Sequence, residues 1–125
     1  MIAYAALLVT SLWLNRADRK MLLLTLVVGG SFFMEVPRGS QFAFYATCIT
    51  VEVAVAVLAL LLRTRASWAV AELCAVMVAG HAMGWSMDGH ASLSPYKGIM
   101  LITEYLQIVV CILASRTALA GLKNT

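Results

Sequence analysis

Charge is scarce in this chain. Asp, Glu, Lys and Arg make up only 12% of its 125 residues, against about 25% in a typical soluble domain. So few charges cannot clothe a globule in water, and no stretch between the apolar runs is long enough to hide a separate soluble domain. Proline is equally rare. Of the two prolines, Pro37 falls between apolar runs and Pro95 opens the last one, so no run is broken. Cysteine is limited to Cys48, Cys74 and Cys111, an odd number with no CxxC pair, which excludes a disulfide framework and a zinc ribbon. Each sits mid-run and reads as a small buried thiol. There is no GxSxG elbow, no HExxH and no phosphate-binding glycine loop, so the chain is not expected to be an enzyme or to carry a cofactor. Basic residues are scattered singly, without the basic, aromatic-studded stripe that nucleic-acid binding requires.

What the chain has in abundance is apolar sequence, at 62% of residues. Five runs can be drawn, at about 2–14, 21–36, 41–62, 67–87 and 95–115. The last three approach the roughly 20 residues that cross a hydrocarbon core of about 30 Å. The second is slightly short. The first covers only about 20 Å at 1.5 Å per residue and needs Asn15 and Arg16 to complete a crossing. Spans must satisfy their own backbone, as helices or closed barrels, and no run alternates apolar with polar residues as barrel strands do. The expected fold is therefore a single all-α membrane domain over residues 1–125, a polytopic bundle of four to five transmembrane helices. The start, MIAYAALLV, has no basic n-region and does not read as a cleaved signal peptide.

The basic residues orient the bundle. With five crossings, Arg16, Arg19, Lys20, Arg63, Arg65, Arg116 and Lys123 share one side, and Arg38 and Lys97 hold the other. The positive-inside rule puts the N-terminus outside and the C-terminus in the cytoplasm, in a bacterial inner membrane. Tight turns make the second and third, and the third and fourth, helices antiparallel neighbours. Ser94 before Pro95 reads as a cap for the fifth helix, and Ser67 as a cap for the fourth. Trp13, Trp68 and Trp85, with Tyr4, Tyr45 and Tyr96, lie near run ends and read as interfacial belts.

All four glutamates lie inside the runs, and intramembrane carboxylates mark function by default. Glu72 is about 10 Å in from Arg65, Glu52 about 16 Å from Arg63, and Glu104 about 18 Å from Arg116 at helical rise, so with Glu35 and His81 near the outer end they form a ladder across the membrane rather than one cluster. Glu35 lies one turn before Arg38 and reads as an interfacial pair with it. On the fifth helix Lys97, Glu104, Gln107, Cys111 and Ser115 form one polar stripe, and on the third Gln41, Tyr45, Cys48 and Glu52 form another. Two such stripes either bond helices together or line one aqueous track. On the fourth helix Glu72 and His81 are nine residues apart and so point to opposite sides, one of them towards a second subunit. Ala75, Ala79 and Ala82 continue the Glu72 face and allow close approach. Gly29–Gly30, Gly80 and Gly84 read as close-packing positions. His81, Asp88 and His90 are too widely spaced for a metal site. No Lys or Arg lies at the depth of Glu52 or Glu104, so these groups carry a proton or meet water or a cation.

The expectation is an oligomeric pore or a proton- or cation-conducting helical bundle, using Glu52, Glu72, Glu104, Gln107 and His81. Its partners would be lipid and either further copies of itself or other membrane subunits. The alternatives are a structural or accessory subunit of a larger membrane complex, and a phage lysis or ejection component. Phage holins share the small size and short basic tail, here with Arg116 and Lys123, but the match is too slight to name a family; a holin-like component would need assembly without ion selectivity. Four glutamates within five spans depart from that pattern.

Overall fold

The structure, a computed structural model, describes residues 1–90 and 92–123, with side chains as far as Ser115. Its elements are α1 (Ile2–Leu14), α2 (Arg19–Phe33), α3 (Gln41–Leu62), α4 (Arg65–Met87) and α5 (Ser94–Lys123). There is no strand among the described residues. Three helices are long and apolar enough to cross a membrane: α3, α4 and α5 as far as Ser115. α1 is apolar but has only 13 residues. α2 has 15 and opens on Arg19 and Lys20. The expected count of four to five crossings therefore reduces to three helices that qualify by length and composition.

Local chemistry sets the ends. Asp18 accepts hydrogen bonds from the N–H groups of Lys20 and Met21 and so starts α2 two residues ahead of the predicted run. Ser40 caps α3 by accepting from Ala43. α3 stops at Arg63, whose left-handed φ of 54° turns the chain. α4 begins at once with a reciprocal capping box: Thr64 accepts from the Ser67 N–H, and Ser67 accepts from the Thr64 N–H. Ser67 is thus the third helical residue, not the cap predicted for it. At α5 the helix starts on Ser94 itself, whose N–H donates to the Ser92 hydroxyl. It then runs past Ser115 through the segment that reads as a tail.

Packing follows a ring. α2 packs on α3, α3 on α4, α4 on α5 and α5 back on α2, with α1 seated against α1's two neighbours, α2 and α5. α3 and α5 are the diagonal pair, without a close packing interface. Glycine brings two pairs of helices together. A Cβ on Gly29 would collide with Leu8 of α1, and one on Gly80 with Met100 of α5.

One half of the bundle is filled. Leu24, Val28, Val55, Val70 and Ile108 are buried there. At its end, polar side chains pin α1. Ser11 and Thr25 share a hydrogen bond of 2.9 Å, Asn15 Nδ2 donates to the Cys111 carbonyl at 3.2 Å, and Ser115 Oγ donates to the Leu14 carbonyl at 3.2 Å. Tyr4, expected in an interfacial belt, is instead a core residue. It stacks on Phe32 with centroids 3.6 Å apart and meets Tyr105 edge-on. Trp13 and Trp68 are the exposed tryptophans, and Arg16 lies 4.0 Å over the Trp13 ring.

Candidate functional site

The other half of the bundle is hollow. Between the diagonal helices α3 and α5 lies a cavity of about 830 Å³. The two polar stripes line it from opposite sides, Cys48 and Glu52 from α3, Lys97 and Glu104 from α5. The ring explains why: helices that are not direct neighbours hold their polar faces apart, and the space between them stays open.

Glu52 and Glu104 share one level. Glu52 is eleven residues into α3 and Glu104 ten into α5, each about 15–16 Å from the same end of the bundle. Both border the same cavity. Glu52 is 6% exposed. The Cys74 thiol and the Gln107 amide face it, yet its Oε2 is buried without a hydrogen-bond partner. A buried acceptor left unmade costs about 1–3 kcal/mol, more if charged. Two carboxylates on one partly buried cavity resist carrying two charges together unless a cation lies between them.

Gln107, three residues beyond Glu104 on α5, is buried behind the cavity wall. Its Nε2 lies 3.4 Å from Cys74 Sγ and 3.5 Å from Met77 Sδ, weak partners for an amide. Beyond it the apolar layer of Leu24, Val55 and Ile108 begins.

His81 forms part of the wall. Its Nδ1 lies 2.7 Å from the Tyr96 hydroxyl. Tyr96 can sit there because Gly84 presents no side chain; a Cβ would stand 2.7 Å from the ring. Tyr45 extends this cluster, packing near Tyr96 and stacking on Trp85, and its hydroxyl donates to Asp88 Oδ2 at 3.1 Å.

The rim carries Glu35, Arg38 and Lys97, all exposed. Glu35 and Arg38 do not form the helical pair expected of them. α2 ends at Phe33, Met34 is extended with ψ 131°, and three-residue helical spacing no longer applies. No ion pair joins acidic and basic side chains among the described residues. Met34, Glu35 and Val36, beyond the end of α2, line the cavity, which suits a wet space, since non-helical backbone at membrane depth persists only where water or protein covers it.

The structure thus brings together Glu52, Glu104 and His81, with Gln107 beneath them. It leaves Glu72 out: that side chain is exposed on the outer face of α4, opposite buried His81. No group of three metal-ligating side chains occurs among the described residues. Tyr96 is the residue that sequence reasoning missed as a site group. Its position one turn along a helix that begins at Ser94-Pro95 was the available signal.

Comparison with known protein families, curated proteins and solved structures gives no match, so the geometry alone carries the reading below.

Proposed function

We propose that this chain is a small integral membrane protein whose helical bundle handles protons or cations through the cavity between α3 and α5. The observation that carries the reading is the pairing of Glu52 and Glu104 at one depth, with Glu52 Oε2 buried and unpartnered. Burying an acceptor without a partner is costly, and the cost is offset if the site works with an exchangeable proton or a bound cation. α3, α4 and α5 supply the crossings. α1 and α2 complete the bundle, and the non-helical residues after α2, Met34 to Val36, carry the chain along the cavity. On the positive-inside rule the end holding Arg63 and Arg65 is cytoplasmic, and the cavity opens outside.

His81 and Tyr96 offer a relay from the rim towards Glu104. Glu52 and Glu104 are the innermost lining residues on α3 and α5, and the buried layer beyond them, Gln107 with Leu24, Val55 and Ile108, acts as the barrier that any conducted ion must cross. Liposomes holding a pH-sensitive dye test this. Flux in the wild type that falls in Glu52→Gln and Glu104→Gln supports the reading; flux unaffected by both removes it.

A second reading, an accessory or homo-oligomeric subunit, draws on a different observation. Glu72 is exposed on the outer face of α4, about 10 Å from Arg65 along the helix, where lipid would otherwise meet a carboxylate. Ala75, Ala79 and Ala82 beside it are exposed too and let another helix come close. Sedimentation in detergent of the wild type and Glu72→Leu decides this: a mass change assigns the face to a contact between chains, and identical masses dismiss self-association there.

A further inference from the structure

We infer that the cavity between α3 and α5 is a binding site for an organic ammonium ion, its charge seated against Glu52 and Glu104 and its apolar part against the aromatic wall. The inference rests on the cation-handling reading above and names the class of cation. Three observations support it.

The first is size. At about 830 Å³ the cavity falls within the range of small-molecule sites, about 300–1,000 Å³. A bare metal ion would need several ligands drawn in around it, and no such cluster exists among the described residues. A proton needs no chamber at all.

The second is the lining. Phe32, Phe33, Phe44 and Tyr96 are part of the wall, along with Val51 and Met100. Aromatic faces attract a cation, by about 0.5–1 kcal/mol at exposed sites and about 2 or more where water is excluded. An inorganic ion gains nothing from the aliphatic remainder, whereas the hydrocarbon of an amine does.

The third is the charge gradient. Both acids lie at the inner end, and the more buried of them, Glu52, has an unpartnered, buried oxygen. Lys97, Arg38 and Glu35 share the exposed rim, where long side chains can swing aside. Sign is therefore selected at the base. An anion of the same size would meet two carboxylates and no cation there.

The test measures binding to the purified protein in detergent, apart from any flux. Benzyltrimethylammonium, benzyl alcohol and benzylsulfonate are titrated by calorimetry, and protection of Cys48, which lines the cavity, against a maleimide is followed in parallel on the wild type. The ammonium ion alone should bind and slow Cys48 labelling, and Glu52→Gln should weaken it by about ten-fold or more, the loss of one desolvated charge partner. Equal binding of the neutral or anionic probe overturns the inference. So does an ammonium affinity unchanged in a folded Glu52→Gln, or wild-type Cys48 labelling that saturating ammonium leaves unaltered. Proton flux in liposomes without ammonium binding would sink this inference and leave the conduction reading standing; binding without flux would do the reverse.

Discussion

The Tyr96 hydroxyl lies 2.7 Å from Nδ1 of His81, joining α4 to α5 in the wall of the cavity. The bond exists because Gly84, three residues along α4 from His81, leaves room for the Tyr96 ring. Gly84→Ala should therefore push the ring away and break the link. The expected loss is about 1–3 kcal/mol, the usual cost of overpacking. Gly98→Ala is the control. A Cβ there meets nothing within 4 Å, and the helix should gain up to about 1 kcal/mol from the better helix former. Thermal unfolding of the two variants in one detergent checks the contrast.

The unpartnered oxygen of Glu52 leads to a second expectation. Glu52→Leu removes a buried oxygen, Oε2, that has no hydrogen-bond partner, so the bundle should become more stable, by about 1–3 kcal/mol, while losing proton or cation handling. Stability gained where function is lost is the mark of a residue kept for its chemistry. A thermal midpoint that falls would show that Glu52 is a structural bond after all.

Cysteine labelling reports on water in the cavity. Cys48 lines it and is half-buried, whereas Cys74 and Cys111 are fully buried among packed helices. A small water-soluble maleimide should modify one cysteine per folded chain, and Cys48→Ser should abolish the reaction. Labelling of Cys74 at the same rate would place water beyond Gln107.

The attachment of α1 rests on Asn15, which donates to the Ser11 carbonyl at 2.9 Å and to the Cys111 carbonyl at 3.2 Å. Asn15→Ala should cost about 0.6 kcal/mol, and at most about 1.7, as interhelical hydrogen bonds in membrane bundles do. Hydrogen exchange should rise in α1 first and leave α3 and α4 unchanged.

Much of the fold was legible because apolar runs and helix lengths coincide. The bounds predicted for α1 and α3 match the structure to the residue. Helical rise sets Glu52 and Glu104 about 16 and 18 Å from one face, yet the sequence reads the acids and His81 as a ladder and not as one cluster; the opposed directions of Glu72 and His81 follow from helical twist. The end of α2 was not legible. Nothing in Met34 or Glu35 breaks a helix, and the helix stops where tertiary packing of Phe32 and Phe33 on Tyr4 ends. The separation of α3 from α5 was also hidden, since a polar stripe looks the same whether it bonds a neighbour or borders a cavity. The role of Asn15 and Ser11 could have been suspected from their four-residue spacing, but their partners Cys111 and Thr25 are set by the ring of helices.

The central claim, that Glu52 and Glu104 together handle a proton or cation, is tested most directly by driven uptake. Liposomes containing the purified chain are given a potassium diffusion potential, negative inside, and internal pH is followed by an entrapped dye. The account predicts acidification with the wild-type chain, reduced by about ten-fold or more in Glu52→Gln and Glu104→Gln, the loss of about 1.4 kcal/mol or more, and kept in Glu72→Gln. Acidification equal in all four proteins, or in none above empty liposomes, would contradict it.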